Sequence, residues 1–262
     1  MSPQPLHSLN NGMSPPNELH GRLALVTGAS GGIGGACARK LAGYGTDLAL
    51  HYSSNKASVA ELAAQLQKDY PDIKITTHQA DLATDEALQL CKDAAGAHGK
   101  PVSILISNAG RGKRFPHIWD VPVEEFDLTI ATNLRATFLL AKGVSEGMRD
   151  QHWGRIIFIS SIAAYGAGVN AAHYAASKGG QVGMMKNLSS RLAEFGITVN
   201  DVAPAMIGDT GLFPETVPEI EKTIPVGRFG KPEEVANAVE MFCKTPYITG
   251  QSLIVAGGLN HK

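Results

Sequence analysis

A tyrosine and a lysine stand four residues apart in the stretch AAHYAASKGGQVGMM, which has the composition of a helix. Residues i and i+4 share one face of a helix, so the ammonium of Lys178 can lie near the phenol of Tyr174. A phenol with a pKa of about 10 is a poor acid or base at neutral pH, and a nearby cation lowers that pKa. The pair predicts a group that protonates the alkoxide formed when a ketone takes up hydride, or that deprotonates an alcohol in reverse.

Spacing alone does not identify a reactive tyrosine, because the sequence repeats it at Tyr52–Lys56 and Tyr70–Lys74. The first of these tyrosines ends a predicted strand, and the second precedes a proline, which disfavours helix. Only Tyr174 lies on a predicted helix that follows a strand ending in two serines. Taken by itself, a tyrosine beside a lysine is better explained as an ordinary helix pair, so the surrounding elements decide.

Short apolar runs alternate with longer helical stretches from residue 22 onward. Several runs are almost continuously apolar, which is typical of strands covered on both faces. This alternation predicts an α/β protein: a single-domain Rossmann fold with a doubly wound, seven-stranded parallel sheet and ligands beyond the carboxyl ends of the strands. The predicted strands are 22–27, 47–52, 73–78, 102–107, 155–160, 197–202 and 252–256, and the main predicted helices are 55–69, 84–98, 122–150, 171–195 and 232–245.

A glycine-rich loop, TGASGGIGG, follows the first predicted strand. Small residues let the backbone turn sharply and approach a pyrophosphate, and the next helix offers N–H groups and the positive end of its dipole. The loop therefore predicts a dinucleotide site with contacts from Gly28, Ser30, Gly32, Ile33 and Gly34.

The same loop also matches G-x-S-x-G, the nucleophile elbow of α/β-hydrolases, with Ser30 as the nucleophile. This alternative puts the elbow on the first strand and leaves Gly34 and Gly35 unexplained. Labelling of Ser30 by a fluorophosphonate probe would support it.

The carboxyl end of the second predicted strand reads HYSSNK and lacks the carboxylate that selects NAD through the ribose 2′-hydroxyl. Asp47 lies at the opposite end of that strand. Hydroxyls, an amide and a lysine can receive a 2′-phosphate, so the sequence favours NADP(H) over NAD(H), with contacts from Tyr52, Ser53 and Ser54.

The composition excludes several other classes of protein. Lys and Arg number 23 against 24 Asp and Glu, which leaves no basic footprint for nucleic acid. Three widely spaced cysteines argue against a disulfide framework or a cysteine zinc site, and no metal site is predicted. No apolar run approaches the roughly 18–20 residues of a membrane span. We expect a soluble, cytoplasmic protein with buried, reduced thiols.

Several motifs occur together in the order and spacing of the short-chain dehydrogenase/reductase family. From Gly21 to its end the chain most resembles the 3-oxoacyl-[acyl-carrier-protein] reductases of that family. The matching motifs are TGASGGIG at 27–34, SNAG at 107–110, ATNL at 131–134, Ser161, Tyr174-x3-Lys178, ITVND and Ala-Pro within 197–204, GRFGKPEEVA at 227–236 and YITGQSLIVAGG at 247–258.

The resemblance implies a role for each matching residue. Tyr174 is the expected proton donor or acceptor, and Lys178 lowers its pKa and holds the nicotinamide ribose. Ser161 is expected to bind the substrate carbonyl, with Ser160 as the alternative, and Asn133 to support a water relay to the lysine. The further implied cofactor contacts are Asp81 and Leu82 at the adenine, Asn108, Ala109 and Gly110 beside the central strand, and Pro204, Ile207 and Thr210 near the nicotinamide.

The sequence departs from the family pattern at several positions. Ala205 replaces a glycine, Thr210 stands one place late, Gly31 occupies a position that is often basic in NADP-preferring members, and Ala256 replaces Asp or Asn. The two arginines with which bacterial members meet the acidic carrier protein correspond here to His152 and Phe195. The remaining basic residues near the expected site mouth are Arg111, Lys113 and Arg114.

These observations predict an NADP(H)-dependent carbonyl reductase acting on a 3-oxoacyl thioester, with acyl carrier protein as a candidate partner. The missing arginines keep a second substrate class open, another ketone such as a secondary-metabolite or polyol precursor. A nucleotide-sensing module without chemistry is the non-enzymatic alternative, against which the complete set of four catalytic candidates argues.

The expected organisation is a flexible extension over 1–20 and a catalytic dinucleotide-binding domain over 21–262. Substrate contacts are expected from 111–119 and from a mobile lid at about 205–226. The resemblance also implies a homotetramer formed through helices 122–150 and 171–195.

Overall fold

A computed structural model describes residues 17–166, 171–211 and 218–259. The described residues form a parallel sheet of seven strands in the order β3-β2-β1-β4-β5-β6-β7. The chain reverses its direction of strand addition between β1 and β4, which is where ligands bind in open α/β sheets. The strands are β1 Leu23–Val26, β2 Asp47–Tyr52, β3 Ile75–Gln79, β4 Ile104–Ser107, β5 Gly154–Ile159, β6 Ile197–Pro204 and β7 Ser252–Val255.

Helices cover both faces of this sheet, because successive strand residues point to opposite sides and both sides are apolar. One buried cluster lies between the sheet and α1, α2 and α8, and the other lies between the sheet and α3, α5 and α6. The helices are α1 Gly32–Ala42, α2 Lys56–Asp69, α3 Glu86–His98, α4 Val123–Thr129, α5 Ala136–Asp150, α6 Ala172–Leu192, α7 Pro218–Glu221 and α8 Pro232–Lys244. The predicted doubly wound Rossmann fold is confirmed.

The predicted helix 122–150 is continuous but not uniformly α-helical. A π-helical stretch, Ile130–Arg135, separates α4 from α5. Its widened backbone is stabilised by side chains, since the carbonyl of Asn133 accepts hydrogen bonds from Thr137 and Gln181. Periodicity cannot reveal this widening, because the apolar spacing on either side is that of an ordinary helix.

The described residues before the predicted boundary at residue 21 pack against the domain. Leu19 is buried, and the side chain of Asn17 bonds to the carbonyl of Lys244 and to Arg155. Residues 1–16 of the predicted extension lie outside the described residues, as do 212–217 of the predicted lid. The division into an extension and one domain with a lid stays a prediction.

All three cysteines, Cys37, Cys91 and Cys243, are buried free thiols. Burial raises the pKa of each, that of Cys91 to about 12. Within the described ranges, no helix combines the length and the apolarity that crossing a membrane requires.

Candidate active site

The carboxyl ends of β1, β4 and β5 bring the predicted site residues to one edge of the sheet. Ser160 and Ser161 directly follow β5, and α6 begins beyond the 3-10 turn Ile162–Tyr165. The hydroxyl of Ser161 accepts a hydrogen bond from the N–H of Ala163 at 3.2 Å, which caps this turn. The short turn and the cap fix the direction in which Ser161 leaves the sheet.

Tyr174 lies in the first turn of α6, and its side chain is buried. Burial raises the pKa of the Tyr174 phenol, and a hydrogen bond with Ser161 works in the opposite direction. The predicted serine and tyrosine therefore meet in the fold. The neighbouring lysine predicted a lowered pKa for this phenol, whereas in the protein alone desolvation is the largest influence and raises it.

Lys178 lies one turn further along α6 and is almost completely buried. Its ammonium donates a hydrogen bond to the carbonyl of Ile159 at 2.8 Å and lies 5.8 Å from the centre of the Tyr174 ring. Burial lowers the pKa of Lys178 to about 8, and the negative charge of Asp201 opposes this change. The predicted i, i+4 pair shares one helix face, with the cation beside the ring.

Asn133 connects the π-helical stretch to the loop after β4. Its amide oxygen accepts from the N–H of Arg111 at 2.8 Å, and its amide nitrogen donates to the carbonyl of Arg111 and to the hydroxyl of Ser177, each at 2.9 Å. A Cβ placed on Gly110 would lie 3.2 Å from the Asn133 amide oxygen and 3.5 Å from the Lys178 ammonium. The predicted asparagine and lysine thus border the same small space, and glycine keeps that space open.

The glycine loop packs so tightly at Gly32 and Gly34 that a side chain is excluded there. Gly28 has a φ of +63°, and a Cβ on Gly34 would lie 2.3 Å from the carbonyl oxygen of Gly28. A Cβ on Gly32 would lie 2.2 Å from the carbonyl oxygen of Asp209. Gly31 caps α1 without a side-chain hydrogen bond, and the first turn of α1 holds no acidic residue. This arrangement leaves N–H groups and a positive dipole end suited to a phosphate.

Asn108 links this loop to β4. Its amide nitrogen donates to the carbonyl of Thr27 at 2.9 Å, and the hydroxyl of Thr27 accepts from the N–H groups of Asn108 and Ala109. Asn108 and Ala109 therefore hold the start of the glycine loop through Thr27. Both residues lie directly after the central strand β4.

His51 is a site residue that the sequence analysis did not single out. Its Nδ1 atom accepts from the N–H of Gly28 at 3.1 Å, and its Nε2 atom bonds to the carbonyl of Ala80 at 3.1 Å. The ring is buried, and desolvation lowers its pKa. The available sequence signal was a histidine inside the otherwise apolar run LALHY, one residue before the strand ends.

The predicted adenosine contacts differ in exposure. Ser53 and Ser54 are exposed at the end of β2, whereas the Tyr52 ring is buried in the core between the sheet, α1 and α2. Asp81 is exposed, and one of its carboxylate oxygens accepts from the N–H of Ala83. Leu82 packs into the opposite core cluster.

The loop after β6 carries the predicted nicotinamide contacts. Pro204 ends β6, Ile207 is buried, and the hydroxyl of Thr210 donates to the carbonyl of Ile207 at 3.1 Å. Met206 and Asp209 have φ values of +51° and +53°, a strained region for side-chain-bearing residues. Such strain is typical of functional segments, and here it adjoins the glycine loop through Asp209.

The basic residues near the site mouth already have partners. The Nη2 atom of Arg111 pairs with both carboxylate oxygens of Glu125, at 2.9 and 3.0 Å. The ammonium of Lys113 lies 5.3 Å from the centre of the Phe115 ring. Arg111 is therefore held by a carboxylate of α4.

The comparisons with known proteins agree with this arrangement. Residues 28–260 match the family model described as Enoyl-(Acyl carrier protein) reductase. The chain is 38% identical over 247 residues to the 3-oxoacyl-[acyl-carrier-protein] reductase FabG of Rickettsia bellii, which covers 92% of this chain and 98% of that relative.

Two solved structures show the same fold over nearly the whole chain. A blue fluorescent protein from a metagenomic library, in complex with NADPH, has a TM-score of 0.84 and 34% identity, covering 92% of this chain and 98% of its own. The NADPH-dependent 3-quinuclidinone reductase of Rhodotorula rubra has a TM-score of 0.86 and 26% identity, covering 97% and 98%. The chain thus belongs to the short-chain dehydrogenase/reductase family of NAD(P)-dependent oxidoreductases.

Proposed function

We propose that this protein reduces a ketone with NADPH, and that its substrate is a 3-oxoacyl thioester, which becomes the 3-hydroxyacyl form. The observation that carries the proposal is the hydrogen bond between Ser161 and the buried Tyr174, beside the ammonium of Lys178. Two hydroxyls that converge at the end of a parallel sheet can donate hydrogen bonds to a carbonyl oxygen. Negative charge develops on that oxygen as the carbon is reduced, and the hydrogen bonds stabilise it.

The residues present fit a dinucleotide. The glycine loop and the start of α1 would hold the pyrophosphate, because side chains are excluded at Gly32 and Gly34 and no acid lies in the first helical turn. Lys178 would bind the nicotinamide ribose, beside the space that Gly110 keeps open. When bound, the nicotinamide supplies the hydride for the carbonyl carbon.

Side chains of this protein supply the proton that the reduced substrate takes up. Ser161 holds the substrate oxygen, and Tyr174 donates its phenolic proton to the developing alkoxide. Lys178 stabilises the resulting phenolate through its positive charge, since its ammonium lies 5.8 Å from the centre of the Tyr174 ring. Asn133 orients the loop at Arg111 and the hydroxyl of Ser177, and so supports the route by which Lys178 and Tyr174 regain a proton.

The similarity to a 3-oxoacyl-[acyl-carrier-protein] reductase favours the thioester. The second candidate is another ketone, which the pairing of Arg111 with Glu125 supports, since that arginine is already occupied by a carboxylate. The similarity to a quinuclidinone reductase supports it as well. A comparison of turnover between 3-oxoacyl thioesters and ketones that are not thioesters separates the two candidates.

NADPH is the proposed cofactor because Ser53 and Ser54 are exposed beyond β2 and no carboxylate stands there to repel a 2′-phosphate. Lys56, the first residue of α2, adds an exposed positive charge nearby. NAD(H) remains the second choice, since Gly31 places no basic group at the start of α1.

The test is a substrate panel followed by NADPH absorbance, run in parallel with NADH. Acetoacetyl-CoA, acetoacetyl-carrier protein, a cyclic ketone and a vicinal diketone cover the candidates, and crotonyl-CoA covers enoyl reduction. We expect turnover of the 3-oxoacyl thioesters with NADPH. Turnover of the other ketones alone would establish the second candidate, while cofactor binding without turnover would favour the nucleotide-sensing module.

We also propose a homotetramer formed through α4, α5 and α6. Val123 and Phe126 on α4 and Phe138 on α5 are exposed apolar side chains on these helices, and such a patch favours association. Multi-angle light scattering tests it: a mass of four chains is expected, and a stable monomer would contradict the proposal.

A further inference from the structure

A buried carboxylate lies under α6 and outside the set of catalytic candidates. Asp201 is completely buried in β6, where it stands opposite Phe158 of β5 and Ser252 of β7. Its Oδ2 atom accepts hydrogen bonds from the hydroxyls of Ser160, at 2.8 Å, and Ser252. Its Oδ1 atom has no partner among the described residues. An acid in the interior of a completely buried strand is costly unless its charge is compensated.

The compensation comes from three elements packed around it. Ser160 and Ser252 donate from the neighbouring strands, and Lys178 on α6 is the nearby cation. Burial raises the pKa of the nearby Tyr165 phenol, and the charge of Asp201 adds to this rise. Burial raises the pKa of Asp201, whereas the two hydroxyls and the ammonium favour its ionised form.

Asp201 is connected to both halves of the site. Ser160, which it holds, is bonded in sequence to Ser161, and Ile159, the residue before, accepts the hydrogen bond of the Lys178 ammonium. The carboxylate therefore stabilises the same strand end that presents the serine and anchors the lysine. Its negative charge also acts directly on the ammonium.

We propose that Asp201 is a positioning residue of the reductase site: it keeps Lys178 in its ammonium form and, through Ser160, holds the strand end that carries Ser161. The role of Asp201 in catalysis rests on the proposed function. The effect on the charge of Lys178 can be measured without any substrate.

The experiment follows the titration of Lys178 by NMR of protein labelled with 13C at lysine Cε, with the Lys178 signal assigned from its absence in Lys178→Met. We expect Asp201→Asn to titrate Lys178 about one pH unit lower than the unaltered protein, because an attractive charge has been removed. Ser252→Ala, which removes one of the two hydroxyl donors but keeps the carboxylate, is the matched control and should shift the Lys178 titration less than Asp201→Asn does. Asp201→Val, with a side chain suited to a strand, replaces the asparagine variant if that variant does not fold.

An unchanged titration in the Asp201 variants would overturn the proposal, as would an equal shift in Ser252→Ala. With a substrate from the panel, the alkaline limb of kcat/KM in Asp201→Asn should move down by the same amount. A shifted Lys178 titration in a protein that reduces no ketone would refute the proposed function and leave the charge coupling intact, so the two failures are distinguishable.

Discussion

The Nδ1 atom of His51 accepts a hydrogen bond from the N–H of Gly28 across 3.1 Å. The same ring bonds through Nε2 to the carbonyl of Ala80, at the end of β3. One neutral imidazole thus joins the glycine loop to the strand end that precedes Asp81. Protonation would put a hydrogen on Nδ1 and remove the acceptor that Gly28 uses.

Affinity for NADPH should therefore fall in acid. Burial lowers the pKa of His51 below its ordinary value, so the ring stays neutral until the pH drops below about 6.5. This ordinary value, about 6.5, is the pKa of His51 in the unfolded chain. The neutral ring contributes fully to the stability of the fold above that pH. The contribution is lost as the pH falls towards the lower pKa of the folded state, because the unfolded chain takes up the proton first. Fluorescence titration with NADPH between pH 8 and 5 measures the effect.

His51→Asn is the matched control for this prediction, since an amide oxygen can accept from Gly28 but does not titrate in this range. We expect the acid limb of NADPH binding to be flatter in this variant. An identical acid limb in the two proteins would mean that another group governs it.

Two glycines of the same loop should respond very differently to alanine. In Gly34→Ala the new Cβ would meet the carbonyl oxygen of Gly28 at 2.3 Å, whereas in Gly31→Ala the nearest atom lies at 3.4 Å. We expect Gly34→Ala to lose NADPH affinity and about 1–3 kcal/mol of unfolding free energy, because the clash involves backbone that cannot move freely. Calorimetric titration and urea unfolding provide both values, and equal losses in the two variants would contradict the packing described here.

Tyr174→Phe should reduce kcat by about 10²–10⁴-fold, the usual contribution of a positioned acid or base. NADPH binding should be largely retained, because the buried ring stays in place and only the hydroxyl is removed. Single-turnover reduction, read by NADPH absorbance, measures the loss. Tyr247→Phe, at a position that is 99% exposed, is the control and should leave turnover unchanged. Normal turnover in Tyr174→Phe would exclude the phenol as the proton donor.

Arg155 should contribute strongly to stability, although it takes no part in the site. Its buried guanidinium donates to the carbonyls of Cys243 and Gly196 and to the side chain of Asn17, and it lies 4.2 Å from the centre of the Trp153 ring. Arg155→Met would leave these acceptors unpaired and should lower the free energy of unfolding by about 3 kcal/mol.

Urea unfolding followed by tryptophan fluorescence measures this loss. Lys92→Met, on the exposed side of α3, removes a positive charge without removing such contacts and is the control. A similar, small effect in both variants would refute the role assigned to Arg155.

Much of this protein follows from local sequence. Alternating strand and helix patterns predicted the seven-stranded sheet, because its central strands are buried on both faces and are therefore short apolar runs. The glycine loop and the Tyr174–Lys178 spacing predicted where a dinucleotide and a proton donor belong, since turn geometry and helix periodicity act over a few residues. The family resemblance rested on the same local motifs.

Only the tertiary structure decided which polar groups meet. His51 reaches Gly28 across 23 residues, Asn133 reaches Ser177 across 44, and Asp201 reaches Ser160 across 41. Strands and helices that are distant in sequence lie side by side, so no spacing in the chain records these contacts. Burial then sets the pKa directions of Tyr174, Lys178 and Asp201, because desolvation depends on what packs around a charge and not on its neighbours in sequence.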